Sequence, residues 1–398
     1  MVPENSYLLT INGGSSSIKF AVYGMDIKLD KMISGEIKRI GLDNPEFIIT
    51  NILTNEKNEI KIEGTNFKEA AEILLEWLKE QEFFEAIKCI GHRIVHGLGH
   101  THPEIIDDNL VKELYKISNY DPNHLPAEIA MIELFKRQFP KLLQVACFDT
   151  SFHTTLPKIA KTFALPKKYY DEGVKRYGFH GISYSYLMDE LRKNDKTEAK
   201  GRIILAHLGN GASLAAVKNG KCLDTSMGFT PAGGLVMSTR SGDLDPSVAW
   251  YLMQNGMSAE TFNALINQKS GLLGISGLSS NMQDLLQKEK NNKDAALAIE
   301  IFCYQIKKYI GAYTAALEGL DTLVFSGGIG ENAPLIRSRI CKGFEYLGIE
   351  IDEEENKKNA TIISTINSKV TVLVIPTDEE IMIARDTRKL FINAQLNT

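Results

Sequence analysis

One pattern recurs about half a chain apart, and it constrains the fold more than any other. Tyr7-Leu8-Leu9-Thr10-Ile11 reads as a short β-run that ends in the polar turn Asn12-Gly13-Gly14-Ser15-Ser16-Ser17. A second β-run, Ile18-Lys19-Phe20-Ala21-Val22-Tyr23, follows, so the pair is a hairpin with a glycine-rich tip. Residues 203–217 repeat the plan, with strands on either side of His207-Leu208-Gly209-Asn210-Gly211. Two such hairpins point to internal duplication of one α/β unit, although glycine-rich hairpins also resemble one another by chance.

Length fits a doubled fold, because 398 residues exceed what one ordinary core supports. Helical periodicity predicts a helix over 67–84, with Ala70, Ala71, Leu74, Leu75 and Leu78 on one face. Others are expected over 127–139, with Pro126 in the first turn, and over 295–317, with Asp294 as N-cap. A strand at 322–325 follows the latter, and a last strand at 370–375 precedes a helix over 379–393, capped by Thr377 or Asp378. Strands and helices that alternate in this way imply α/β layers. The charge runs 287–294 and 352–358 read as solvated surface.

Composition removes several classes of function. A net charge of −5 offers no basic footprint for nucleic acid. No apolar stretch approaches the ~20 residues of a membrane span, and acidic Glu4 with no basic neighbour argues against a secretory signal. Cys89, Cys147, Cys222, Cys303 and Cys341 are dispersed without metal-ligand spacing, as expected of thiols in a reducing compartment. The expectation is a cytoplasmic protein without a nucleic-acid or membrane partner.

Three glycine-rich turns could let backbone N–H groups approach phosphate: 12–17, 207–213 and 326–332. The third, Ser326-Gly327-Gly328-Ile329-Gly330-Glu331-Asn332, follows an apolar strand and precedes a helix. None has P-loop spacing, and any one of them alone reads as a tight turn. Gly91-His92-Arg93-Ile94-Val95-His96-Gly97 and the stretch around Arg240 each set an arginine among small, β-branched or histidine neighbours. Such arginines suit bidentate contact with carboxylate or phosphate, although a surface salt bridge explains either one taken singly. Asp149 closes an apolar strand, where α/β enzymes place functional groups, and His180 lies between Gly178-Phe179 and Gly181.

Together these segments resemble the acetate kinase family, within the acetate and sugar kinase/heat-shock/actin superfamily. The matching blocks are 12–19, 92–97, 148–153, 177–181, 207–213, 224–231, 239–246 and 376–386. The resemblance implies an α/β protein of two duplicated ribonuclease-H-like (actin-like ATPase) domains around a central cleft. Residues 1–150 with 380–398 would form the first domain and 151–379 the nucleotide-binding second, with hinges near 149–152 and 376–380. It further implies reversible, Mg²⁺-dependent (or Mn²⁺-dependent) in-line transfer of the ATP γ-phosphate to acetate, giving acetyl phosphate and ADP, in a homodimer.

Carried over residue by residue, Asn12 and Glu379 would hold the metal. Arg93, Arg240, Asp149 and His180 would be catalytic, and Arg93, Val95, Asn123, Phe179 and Pro231 would bind the carboxylate substrate. Lys19, Ser15, Ser17, His207, Leu208, Gly209, Asn210 and Gly211 would face the nucleotide phosphates, as would Gly328, Ile329, Gly330, Glu331 and Asn332. Asn281, Met282 and Gln283 would line the adenosine. A carboxylate nucleophile is already ionised at neutral pH, so the site needs charge shielding rather than a strong base. Asp149→Asn is accordingly expected to remove most turnover with little change in stability.

The chain departs from the family's pattern at Asn123, Ile182, Tyr184, Asn281, Gln283 and Ala232-Gly233. These leave the acyl chain and the nucleotide base open. A propionate or other short-chain acyl kinase is the alternative activity, and a nucleotide-binding protein that has lost catalysis is the alternative class. A sugar kinase would need an aspartate base for a hydroxyl nucleophile, whereas two arginines suit an anion.

Overall fold

A computed structural model describes residues 6–396 apart from 15, 16, 42, 43, 64, 65, 123 and 195–197. Residues 1–151 with 378–398 form one compact unit and 152–377 form another, so the chain crosses after Ser151 and after Thr377.

In the first unit β1 (Tyr7–Gly13) and β2 (Ser17–Gly24) make the expected hairpin, with Asn12 directly opposite Lys19. β3 (Lys31–Lys38), β4 (Glu46–Asn51) and β5 (Lys57–Lys61) extend it antiparallel. On the other side lie β6 (Ile87–Ile94), the two-residue β7 (Glu104–Ile105) and β8 (Leu143–Phe148), in the order β5-β4-β3-β2-β1-β6-β8-β7. The second unit contains β9 (Arg202–Leu208), β10 (Ala212–Lys218), β11 (Lys221–Thr225), β12 (Thr322–Ser326) and β13 (Thr371–Val374), ordered β11-β10-β9-β12-β13.

That order reproduces β3-β2-β1-β6-β8 strand for strand. In each unit a central strand pairs antiparallel with its hairpin partner on one side and parallel with a later strand on the other. One α/β plan occurs twice, which is the doubled architecture that the repeated hairpin implies. Parallel strands are covered on both faces and so read as unbroken apolar runs. Ile203-Ile204-Leu205-Ala206 and Leu323-Val324-Phe325 are such runs, fully buried.

Helix positions follow periodicity, and their ends follow local caps. The first helix is Phe67–Lys79, started by an Asn66–Glu69 capping box and shorter than the 67–84 expected. Beyond it Phe83 and Phe84 turn back to pack on Tyr7 and Phe139, at ring distances of 6.0 and 5.0 Å, and this packing outweighs helix propensity. The long helix Lys293–Leu317 is capped by Asn292, whose side chain accepts from the amides of Asp294 and Ala295. Asp294 therefore sits inside the first turn, where a carboxylate favours the helix dipole. The C-terminal helix Glu379–Leu396 has the Asp378 side chain accepting from the Ile381 amide. It packs so closely on β6 that a Cβ at Gly91 would lie 2.2 Å from Thr387 Oγ1.

Candidate active site

Four expected residues meet at the carboxyl ends of the first unit's parallel strands, where open α/β sheets place ligands. Arg93 lies next to the end of β6, Asp149 follows β8, Asn12 lies near the end of β1 and Glu379 opens the C-terminal helix. Arg93 Nη2 donates to Asp149 Oδ2 at 2.6 Å, and Nη1 donates to Asn12 Oδ1 at 3.2 Å. Asn12 Nδ2 in turn donates to Glu379 Oε2 at 3.2 Å. Burial works against the Arg93 charge, but Asp149, Glu379 and Glu128 outweigh it and raise its pKa above the ordinary value. Its Nε is buried and makes no hydrogen bond among the described residues. A buried guanidinium donor without an acceptor is costly, and an anionic ligand would supply the acceptor.

Asp149 is fully buried, with 0% of its surface exposed. The Arg93–Asp149 pair therefore holds structure as well as charge, which argues against the expectation that Asp149→Asn leaves stability unaltered. Burial also raises the Glu379 carboxyl above the usual range, against the pull of Arg93. Lys19 is exposed on β2 opposite Asn12, and Ser17 is half-buried, its carbonyl accepting from the Gly14 amide. Val95 is buried two residues after Arg93. Ser15 and Asn123 lie outside the described residues.

The second unit brings together His180, His207, Ser213 and Arg240. His180 is held at φ 58°, an uncommon and strained conformation for a side chain of this kind. Its Nδ1 lies 2.8 Å from Ser213 Oγ, which also bonds the Tyr184 hydroxyl. Tyr184, one of the departures from the family pattern, thus helps to orient His180. The His180 ring stacks on His207 at 4.3 Å, and His207 Nδ1 meets Ser183 Oγ at 2.8 Å. A Cβ on Gly211 would stand 3.1 Å from His180 Nε2 and 3.4 Å from Arg240 Nη1, so glycine there opens the space between them. Arg240 Nη1 donates to the Pro231 carbonyl at 3.4 Å, and both Pro231 and Phe179 are buried.

Two glycine turns converge in this unit. Gly327 adopts φ 75°, and a Cβ there would lie within 2.9 Å of the Leu208 backbone. Residues Gly327–Asn332 are themselves a short helix rather than a turn that feeds one. The Glu331 carboxylate folds back to accept from the amides of Gly327 at 2.8 Å and Thr377 at 3.0 Å, so it braces the loop. Asn332 likewise donates to the Gly328 carbonyl, and Asn210 accepts from Ser238 Oγ. Gly209, Gly328 and Gly330 can contribute only backbone, and Ile329 between the last two is half-buried. Asn281 caps the helix Met282–Lys288 through the Gln283 amide, Met282 is buried and Gln283 is exposed.

Among the described residues no cluster of three or more His, Cys, Asp or Glu side chains could enclose a metal. The Glu379 carboxylate fits Mg²⁺, a hard cation usually bound through one or two carboxylates while keeping several waters, whereas Asn12 Oδ1 accepts from Arg93 and would have to turn from it to join the metal. Sequence reasoning missed Glu128 and Ser183 as parts of these clusters, and named Ser213 only within the 207–213 turn. Ser183 stands beside Tyr184, which it did single out.

Residues 7–385 match the sequence model of the acetokinase family. The chain belongs to that family. An acetate kinase of Campylobacter jejuni subsp. doylei is 43% identical, the alignment covering 96% of this chain and 98% of the relative. The crystal structure of Porphyromonas gingivalis acetate kinase superposes with a TM-score of 0.86 at 40% identity, covering 97% of this chain and 99% of that one. A propionate kinase from Francisella tularensis gives a TM-score of 0.90 at 38% identity, covering 96% and 99%. As an acetokinase-family kinase, this chain has the duplicated actin-like ATPase fold that its two matching sheets display. No helix among the described residues is long and apolar enough to cross a membrane.

Proposed function

We propose that this chain is an acetate kinase that transfers the ATP γ-phosphate directly and reversibly to acetate. The observation that carries the reading is the half-buried Arg93, paired with Asp149 and Asn12, whose buried Nε donor is left unsatisfied. Its guanidinium would hold the acid, beside the apolar Val95, while Asp149 and Asn12 fix its orientation. Arg240 and His180 would bear on the transferring phosphoryl group, whose developing charge their positive or donor groups stabilise. Lys19, Ser17 and the 207–211 and 328–332 turns would meet nucleotide phosphates through N–H and hydroxyl donors. Glu379 and Asn12 would hold Mg²⁺, which when bound screens the charge that opposes attack of one anion on another.

A short-chain acyl kinase preferring propionate is the second reading, favoured by the close superposition on the Francisella propionate kinase. One methylene changes binding in such a pocket by only about 1–3 kcal/mol, so activities will overlap. Hydroxamate trapping with ATP, Mg²⁺ and acetate, propionate, butyrate or glycolate is expected to show the highest kcat/KM with acetate. A higher value for propionate would move the substrate and keep the mechanism. No product from any acid would overturn the kinase reading for this chain.

The five cysteines are buried thiols, which supports a reducing compartment such as the cytoplasm. Homodimerisation is supported by helix Pro246–Gln254, which carries no buried residue although Trp250 and Tyr251 are each 67% exposed. Exposed aromatics on so apolar a helix suit a second copy of the chain. Trp250→Glu is expected to shift the light-scattering mass from dimer to monomer, and an unchanged dimer mass would exclude this face.

A further inference from the structure

The backbone that follows Arg93 is held by side chains rather than by a strand partner. β6 ends at Ile94, whose carbonyl accepts from the Asp149 amide at 2.9 Å. Past that point the Gly97 amide donates to Thr150 Oγ1 at 3.2 Å and the Leu98 amide to His96 Nδ1 at 3.2 Å. Leu98 adopts φ 46°, and a Cβ at Gly97 would press within 2.8 Å of the Phe148 ring. The Val95 amide donates to both oxygens of Glu128, at 3.1 and 3.3 Å.

Glu128 is 3% exposed and comes from the first turn of helix Leu125–Gln138. It shares the inward side of that helix with Leu125, Ile129, Ile132 and Phe135, all buried. A carboxyl in an apolar stripe is an unfavourable choice unless it satisfies a buried donor. Here the donor is the amide two residues beyond the arginine that would hold the substrate. We propose that Glu128 is the positioning residue for the carboxylate end of this site, fixing Val95 and through it the direction of Arg93. The inference rests on the reading of Arg93 and Val95 as the carboxylate-binding pair.

Charge supports the geometry. Burial, against the pull of Arg93, pushes the Glu128 carboxyl well above the usual carboxylate range, and Asp121 and Asp149 push the same way. Asp121 is itself buried against His124, whose Nδ1 lies 2.9 Å from Asp121 Oδ1. Both Glu128 oxygens lie within reach of the Val95 amide, so the side chain is directed at that donor.

The test measures KM for the carboxylate and for ATP separately, in wild type and in Glu128→Leu, Glu128→Gln and Glu128→Asp. Glu128→Leu is expected to raise the carboxylate KM about tenfold, the size of one lost buried hydrogen bond. Its ATP KM stays unchanged, and Glu128→Gln, which keeps an acceptor at the same reach, restores the carboxylate KM. Should the leucine variant fail to fold, Glu128→Asp decides, since a side chain one methylene shorter withdraws the acceptor and raises the carboxylate KM alone. An unaltered carboxylate KM, or carboxylate and ATP KM values that rise in step, would overturn the role of Glu128. A wild type that forms no acyl phosphate would instead overturn the kinase reading beneath it.

Discussion

Asp149→Asn is expected to lower kcat/KM for acyl phosphate formation about a thousandfold, within the range seen when a preorganised charge is removed from a transition-state site. The substitution is nearly isosteric, and asparagine can still accept a hydrogen bond from Arg93. What it removes is the fully buried negative charge that holds the half-buried Arg93 guanidinium at 2.6 Å and balances it. Arg93 would then turn towards Glu379 and Glu128, the other carboxylates that act on it. Stability should also fall, by about 2 kcal/mol, because a buried charge has lost its partner. The double substitution Asp149→Asn with Arg93→Met separates the two effects. Removing both charges is expected to recover the melting temperature while leaving turnover lost. A single variant with wild-type turnover would remove Asp149 from the mechanism.

The two hairpins, the strand that ends at Asp149 and the histidine between glycines all announce themselves locally, through alternation, turn chemistry and composition. For that reason the doubled α/β plan was legible before any coordinates. Glu128 was not, because Leu-Pro-Ala-Glu-Ile-Ala reads as an amphipathic helix with a solvated acid. Whether a buried amide waits for that acid depends on where β6 ends, just before Val95, itself 33 residues earlier than Glu128. The local duties of other residues were equally hidden. Asn281 caps its own helix and Met282 packs inward, needs that sequence does not distinguish from a ligand contact. The Glu331 carboxylate likewise binds its own turn's amide.

Arg337→Met should be the most destabilising of the substitutions considered, by about 3–5 kcal/mol, with the melting transition lowered by roughly 10 °C. In sequence, Pro-Leu-Ile-Arg-Ser-Arg looks like the exposed start of a helix, yet Arg337 is 0% exposed. Nε donates to Asn356 Oδ1 at 2.7 Å, and Nη1 donates to the carbonyls of Gly330 at 2.7 Å and Glu331 at 2.9 Å. Nη2 donates to the Asn356 carbonyl at 2.7 Å and Asn359 Oδ1 at 2.6 Å. These five bonds match the five N–H donors of a guanidinium, and none of them goes to a carboxylate. Burial pulls its pKa down to about 10, which still leaves it charged at neutral pH. Methionine fills similar volume but leaves three buried carbonyls without that donor, two of them at the end of the glycine turn that would face nucleotide phosphate. Lysine brings the charge without the planar fork and should recover only part of the loss. If the turn depends on this brace, Arg337→Lys raises the KM for ATP while the carboxylate KM stays fixed. Equal melting temperatures for wild type and Arg337→Met would show that the hydrogen bonds are replaced by water and that the turn holds its own shape.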